Sequence, residues 1–153
     1  MPLLPYDQRS PEWLAARRGL ITASTAAACL GMNPWMSRAA AWRQIMGLDE
    51  GAINRQMQWG TDNEQNALAT YEIESGNLVI PTGFWIHSTI PWLGASPDGN
   101  VGLDGLVVAK CLGKNPGKVP THYRIQMMVH AGQPSARITV SRVGQFRQSP
   151  YFE

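Results

Sequence analysis

A short apolar segment containing one lysine places the strongest constraint on this chain. Residues 105–111 read Gly-Leu-Val-Val-Ala-Lys-Cys, so only Lys110 is charged. Such a segment is typical of a strand buried on both faces. Because an unpaired charge is costly to bury, the Lys110 ammonium group needs a partner or a functional cleft. Asp98, in the turn Ser96-Pro97-Asp98-Gly99, is a candidate partner, although Asp in Pro-Asp-Gly is most often only a turn former.

Length and composition predict one globular domain with a single core. The chain has 153 residues, of which 44% are hydrophobic and 16% are charged. It lacks an apolar segment of the roughly 20 residues that span a bilayer. Its first residues do not resemble a secretion signal, so we expect a cytoplasmic protein. In that compartment Cys29 and Cys111 are expected to be buried free thiols.

The charges are unevenly distributed along the chain. Residues 1–100 hold six Lys/Arg and nine Asp/Glu, whereas residues 101–153 hold seven Lys/Arg and two Asp/Glu. A basic part beside an acidic part fits a phosphate-facing surface next to a metal site, but it also fits an ordinary uneven surface.

Capping residues and periodicity predict helices first, then a small sheet, then a further helix, which is an α/β arrangement. Helices are expected at residues 11–18, from 22 or 24 to 30, at 38–46, 54–75 and 122–130. Strands are expected at residues 78–85, 90–93, 105–111 and 136–141. In the long fourth helix, the candidate packing residues are Met57, Leu68, Tyr71 and Ile73. Most of the six tryptophans are expected in the core, although they could also form a platform for unpaired bases.

Three polar residues suit metal-assisted phosphodiester hydrolysis. In that chemistry, carboxylates hold Mg²⁺ and a lysine positions the attacking water and balances developing charge. Asp98 and Lys110 could fill these roles, and Glu64 is a third candidate. The alternative for Glu64 is an ordinary solvated carboxylate on a helix, and Asp62 is the weaker choice on the same helix.

Arg17 and Ser24 lie around a predicted helix start, where a phosphate can bind. The alternative is an arginine that complements its helix dipole and a serine that caps the next helix. Gln126, on the helix after the lysine strand, could reach the same cleft or be merely solvated. His122 and His130 are eight residues apart on one helix face, and without a third ligand we do not expect a zinc site.

Five segments, taken in order, resemble the lambda-exonuclease-like viral recombinases, the YqaJ family of the PD-(D/E)xK nuclease superfamily. The resemblance covers residues 10 to about 132. The matching segments are Arg17 to Ser24, Gly60 to Glu64, Leu93 to Gly99, Gly105 to Cys111, and Val119 to Met127.

The resemblance implies a restriction-endonuclease-like core, with a small mixed sheet flanked by helices and a helical amino-terminal part, in a single domain over residues 1–153. It implies a phage-type exonuclease that degrades one strand of linear duplex DNA from the 5′ end with Mg²⁺, or with Mn²⁺. Asp98 and Glu64 would approach the metal, Lys110 would assist the water and Gln126 would line the site. Arg17 and Ser24 would bind the 5′-phosphate. The expected partners are double-stranded DNA ends, a single-strand annealing protein and further copies of the chain in a trimer, in a bacterial host.

Two departures from the family pattern leave a second hypothesis open. Val108 stands where the family has a metal-binding glutamate, and valine cannot coordinate a cation. The residues after Gly132 do not match the family, and the carboxyl-terminal part is short. The alternative is therefore a catalytically impaired nuclease fold that binds DNA ends or a protein partner, for example as a phage-encoded decoy or inhibitor.

Overall fold

The computed structural model describes residues 3–49, 54–103, 105–111, 118–132, 138–142 and 145–148. The helices are α1 Pro11–Ala16, α2 Ala23–Cys29, α3 Arg38–Ile45, α4 Arg55–Ser75 and α5 Thr121–Ala131. The strands are β1 Leu3–Leu4, β2 Ile21–Thr22, β3 Val79–Ile80, β4 Phe84–Ile86, β5 Leu93–Ala95, β6 Gly99–Val101, β7 Gly105–Ala109, β8 Ile138–Arg142 and β9 Gln145–Gln148.

Two small mixed sheets organise these elements. The larger sheet has the order β3-β6-β7-β8-β9, in which β7 and β8 are parallel and the other pairs are antiparallel. The smaller sheet has the order β1-β4-β5-β2, and its one parallel pair is β2 with β5. The predicted α/β class with a small mixed sheet flanked by helices is confirmed.

Strand β7 lies at the centre of the core, and its alternating side chains pack against two different helices. Val107 and Ala109 are almost fully buried in a cluster with three residues of α4, which are Ala67, Leu68 and Tyr71. Val108 points the other way, since successive side chains of a strand alternate between its faces, and it packs against Met127 of α5 and Val119. The apolar segment therefore forms a strand buried on both faces, as the sequence predicts.

Local capping signals place the helix starts correctly. Ser10 and Ser37 accept hydrogen bonds from the backbone N–H groups of Trp13 and Ala40, and Thr22 forms a capping box with Thr25. Gly76 ends α4 with a φ of +70°, a left-handed conformation in which glycine avoids the strain of a Cβ atom.

The strands are less well predicted. The expected strand at residues 78–85 is two separate strands, β3 and β4, which belong to different sheets. The strand expected at 90–93 lies instead at Leu93–Ala95, and the predicted turn at 96–100 already contains the start of β6. The last predicted strand, at 136–141, corresponds to β8, although its first two residues lie outside the described residues.

Several large apolar side chains lie at the surface, contrary to expectation. Trp13 is buried, but four of the six tryptophans are exposed: Trp35, Trp42, Trp59 and Trp92. In α4, Leu68 and Tyr71 are buried as predicted, whereas Met57 and Ile73 are 54% and 83% exposed. Helical spacing identifies a face, but which face meets the sheet depends on tertiary contacts. Cys29 and Cys111 are free thiols, as expected, although they are half-buried rather than buried.

Candidate functional site

Asp98 is held against the end of β7 by one backbone hydrogen bond and one hydrogen bond to its side chain. Its own N–H donates to the carbonyl of Val107 at 3.0 Å, and its Oδ2 accepts from the N–H of Ala109 at 2.6 Å. The turn before β6 therefore places the carboxylate beside the last residues of β7. Lys110 directly follows Ala109, the last residue of β7 and the donor to the Asp98 carboxylate. The lysine is therefore next in sequence to the residue that binds Asp98.

Glu64 joins this pair from α4. Burial raises its pKa, the Asp98 carboxylate raises it further, and Lys110 and Arg9 lower it in part. Burial likewise raises the pKa of Asp98, which Lys110, the hydrogen bond from Ala109 and Arg9 partly offset. The Asp98 carboxylate and the Lys110 ammonium group, which come from separate segments, are thus near enough to shift the pKa of Glu64, and Lys110 also shifts the pKa of Asp98. Asp62, the weaker choice, is exposed and accepts a hydrogen bond from Gln58 instead.

Arg9 completes the charged group from the amino-terminal side. Its Nη2 lies 3.5 Å from Oε2 of Glu64 and donates to Oγ1 of Thr61 at 3.1 Å. The preceding Gln8 donates from Nε2 to the carbonyl of Pro97 at 3.0 Å, which ties this segment to the turn that carries Asp98.

Val108 stands where the family pattern predicts a glutamate, and its side chain makes apolar contacts. It is 2% exposed and contacts Met127 and Val119. It lies two residues before Lys110, and therefore on the same side of the chain by the alternation of a strand. The position is consequently a filled part of the core rather than an open space beside the carboxylates.

Arg17 and Ser24 are brought together, as the sequence predicts. The Arg17 Nη2 donates to Oγ of Ser24 at 3.0 Å and to Oγ1 of Thr22 at 3.3 Å. The guanidinium lies 3.9 Å from the centroid of the Trp13 ring. Burial lowers the pKa of Arg17 to about 10, so the group keeps its charge at neutral pH. Among its described hydrogen-bond partners are hydroxyl groups and no carboxylate, an environment that suits an incoming anion.

Trp13 connects Arg17 to the turn that carries Asp98. Its Nε1 donates to Oγ of Ser96 at 2.7 Å, and Ser96 precedes Asp98 by two residues. The N–H of Gly19 donates to the carbonyl of Ile45 at 2.7 Å, so the end of α3 lies next to the turn that follows Arg17. The two predicted subsites therefore share one continuous part of the molecule.

Helix α5 places the remaining candidates. Gln126 is half-buried, directly before the Met127 that packs on Val108. His130 is 1% exposed, and neither ring nitrogen has a hydrogen-bond partner in the described part of the chain. Burial, and then the Lys110 charge, lower its pKa to about 3, so the ring is neutral at physiological pH. His122 lies about 12 Å away along the helix axis, too far to share a metal ion with His130.

The donor set of the site is compatible with a hard cation in kind but is small. The carboxylate of Asp98 raises the pKa of Glu64, and no group of three or more His, Cys, Asp or Glu side chains lies together in the described residues. Mg²⁺ commonly uses one or two protein carboxylates and completes its shell with water and substrate phosphates. The residues present therefore fit Mg²⁺ only with that kind of help.

Several contacts of the candidate site are not predicted by the sequence. Arg9, Gln8 and Trp13 each bind a residue more than 50 positions away or a neighbouring subsite, and no spacing rule reports such contacts. Thr22 was predicted only as a helix cap, yet it also accepts from Arg17. For Arg9, the one available signal is its position directly before the Ser10 cap, where the chain must turn sharply.

Comparisons with known proteins identify a family and similar solved structures. Residues 12–132 match the model of the YqaJ-like viral recombinase domain. The alkaline exonuclease LHK-Exo from Laribacter hongkongensis is 33% identical, with a TM-score of 0.68 over 87% of this chain and 74% of that chain. Its complex with dAMP is 34% identical, with a TM-score of 0.68 over 86% and 73% of the two chains. No curated protein matches the chain significantly.

One structural observation is consistent with these matches. The five sequence segments that carry the resemblance lie in the matched range, and the carboxylates and lysine they contain meet at one place. None of the helices in the described residues has both the length and the apolar character needed to cross a bilayer. The chain belongs to the YqaJ-like viral recombinase domain family and has the nuclease fold of the alkaline exonucleases.

Proposed function

We propose that this protein is a metal-dependent DNA exonuclease that degrades one strand of linear duplex DNA from its 5′ end. The observation that carries the proposal is the meeting of Asp98, Glu64 and Lys110, which come from three separate segments of the chain. Carboxylates next to a lysine, at the end of a buried strand, are the groups that phosphodiester hydrolysis requires.

The roles follow from the chemistry of each group. Asp98 and Glu64 would hold Mg²⁺, or Mn²⁺, which when bound polarises the phosphate and lowers the pKa of the attacking water. The Asp98 carboxylate keeps its orientation through its bond from Ala109, which leaves its other oxygen for the cation. Lys110 would hold the water and balance negative charge as it develops. Gln126 would line the site from α5.

Arg17 and Ser24 would hold the terminal 5′-phosphate. A guanidinium donates several N–H groups in a fixed fork that matches phosphate oxygens, and Arg17 is already positioned by Trp13 and Ser24. The surrounding sequence is also suited to DNA. Between Glu12 and Asp49 the chain contains four arginines and no acidic residue, so this segment would attract the phosphate backbone.

The wider setting is proposed from the family. We propose one domain over residues 1–153, with double-stranded DNA ends as the substrate. A homotrimer, acting beside a single-strand annealing protein in the cytoplasm of a bacterial host, would be the working form. A phage or prophage origin would fit the family description.

One observation favours a second candidate function. Val108 is buried against Met127 and Val119, so the site has two carboxylates where three would be expected. A protein with this site could bind DNA ends or a protein partner without cutting, as a decoy or inhibitor. Digestion and end binding, measured on the same preparation, separate the two functions.

The direct test is digestion of a linear duplex with 5′-phosphate ends, with and without Mg²⁺, and with Asp98→Ala as control. The proposed exonuclease shortens one strand only with Mg²⁺, releases label first from the 5′ end, and leaves a closed circular duplex intact. Tight end binding without any Mg²⁺-dependent digestion would instead favour the second candidate.

Replacing Arg17 with alanine should weaken binding to 5′-phosphorylated ends about tenfold or more, with little change for 5′-hydroxyl ends. The reason is that the substitution removes charge-assisted hydrogen bonds to the phosphate, each of which contributes about 1.5–3 kcal/mol. Binding is measured by fluorescence anisotropy with two duplexes that differ only in the terminal phosphate, in Ca²⁺ to prevent cleavage.

Arg18→Ala is the matched control for this experiment. Arg18 is adjacent in sequence, but its side chain lies beside Gly47 rather than beside the hydroxyl groups of Thr22 and Ser24. It should affect both duplexes equally and weakly. An equal loss on both ends for Arg17→Ala would contradict the phosphate pocket.

A further inference from the structure

Arg9 pairs with a proposed metal ligand, although no motif of the sequence includes it. Its guanidinium contacts Oε2 of Glu64 at 3.5 Å and Oγ1 of Thr61 at 3.1 Å. Both residues lie on α4, three positions apart and so on one face of the helix. Arg9 therefore lies against the carboxylate that the proposed function assigns to the cation.

The backbone holds Arg9 in this place at a conformational cost. Its φ is +71°, and it is the one non-glycine residue with positive φ among the residues described. For a residue with a Cβ atom this region is disfavoured, and it persists only where surrounding contacts impose it. Two such contacts flank it: Gln8 donates to the carbonyl of Pro97 at 3.0 Å, and the N–H of Ser10 donates to the carbonyl of Asp7 at 3.0 Å.

Arg9 affects the charge balance of the site. When all four groups are ionised, the carboxylates of Asp98 and Glu64 and the cationic groups of Lys110 and Arg9 balance without any metal ion. A glutamate in place of Val108 would add a third negative charge and leave one unbalanced. With valine at position 108, Arg9 and Lys110 together therefore supply as many positive charges as the two carboxylates supply negative ones.

We infer that Arg9 is a built-in counter-ion that competes with the divalent cation for Glu64, and thereby sets the cation concentration at which the site is occupied. This inference rests on the proposed function, because it takes Asp98 and Glu64 as the cation site. The Arg9 side chain is 59% exposed, so it can leave the carboxylate when a cation arrives. Exposed ion pairs are weak, which makes the competition reversible.

The test measures Mn²⁺ binding itself, by the electron paramagnetic resonance signal of the free ion. Arg9→Gln should bind Mn²⁺ about three- to fivefold more tightly than wild type, the range expected when an exposed ion pair is removed. Arg55→Gln is the matched control, since it removes the same charge from an exposed arginine about 13 Å from Glu64 along α4. It should leave the affinity unchanged.

Two further variants separate charge from backbone strain. Arg9→Gly removes the charge and also relieves the strain at positive φ, whereas Arg9→Lys keeps the charge. If Gly behaves as Gln, and Lys behaves as wild type, the effect comes from the charge. If Arg9→Gln and Arg9→Gly both bind as wild type does, the inference is wrong.

The same titrations distinguish this failure from failure of the proposed function. Should Asp98→Ala abolish Mn²⁺ binding while both Arg9 variants leave it unchanged, the proposed site stands and the role of Arg9 falls. Should wild type bind too weakly to measure, the comparison is made in a Val108→Glu background, with and without Arg9→Gln. Absence of binding in that background as well would overturn both the cation site and the inference.

Discussion

Replacing Val108 with glutamate should increase Mg²⁺-dependent strand degradation by at least about tenfold, the smaller end of the effects seen when groups around a metal are altered. Position 108 lies on the same side of the chain as Lys110, and β7 carries it next to the strand that follows Asp98. A carboxylate there would give the cation a third anionic ligand and shift the charge balance of the site toward a metal ion. The measurement is the initial rate of nucleotide release at several Mg²⁺ concentrations.

The same substitution should destabilise the protein when no cation is present. Val108 is 2% exposed and packs on Met127 and Val119, so the new carboxylate replaces apolar contacts and loses hydration, which costs more than the about 1–3 kcal/mol of a buried neutral polar group. Urea unfolding should therefore show a lower free energy of unfolding for Val108→Glu without metal, with recovery in Mg²⁺.

Val108→Gln is the control, because it has the shape of glutamate without its charge. It should be destabilised less than Val108→Glu without metal, by about 1–3 kcal/mol, and gain no activity. A Val108→Glu protein that is folded, binds DNA ends and still gains no cleavage would mean that more than one ligand is missing. The non-cutting function would then be the better description.

Replacing Asp98 with asparagine should abolish cleavage, by at least about 100-fold, and at the same time stabilise the protein at pH 7. Burial raises the pKa of Asp98. A raised carboxylate pKa favours folding at low pH, and that contribution is lost as pH rises through the folded-state value. In its ionised form, Asp98 therefore opposes folding. Asparagine removes the charge and can still accept from the N–H of Ala109.

The expected gain is about 1 kcal/mol, or roughly 2–4 °C in Tm for a chain of this size. Urea unfolding of both proteins at pH 7 and pH 4 tests the sign, because the difference should shrink as Asp98 in wild type becomes protonated. Asp62→Asn, an exposed carboxylate of α4, should change neither activity nor stability. A less stable Asp98→Asn at pH 7 would mean that attraction to Lys110 and Arg9 outweighs burial.

Those elements of the fold that depend on local chemistry could be predicted from the sequence. The caps at Ser10, Thr22 and Ser37 are side chain to backbone contacts within a few residues, and the chain itself specifies them. The strand at residues 105–109 was recognisable because every side chain in it had to be buried. The separation of β3 from β4 could not be predicted from the sequence. The two strands belong to different sheets, and only their long-range pairing separates them.

The site divides in the same way. The resemblance placed Asp98, Glu64 and Lys110 in one site from the order of short motifs, and the structure brings them together. Arg9 was missed because an arginine beside a turn has no pattern that points to a residue 55 positions later. The sequence identified Val108 as a non-ligand, but only packing against Met127 reveals that the position is filled. The sequence likewise predicts the exposed tryptophans in the core, because residue type predicts burial only on average.

The link from Trp13 to Ser96 has a consequence for the length of the product. Ser96 belongs to the turn that also carries Asp98, and two residues of chain span at most about 7 Å. Under the proposed function, the pocket for the terminal phosphate and the carboxylates that would cut the chain are thus connected through Trp13 and one short turn. The separation fixed by that connection would set how many nucleotides each cleavage removes, and the length of the released products measures it.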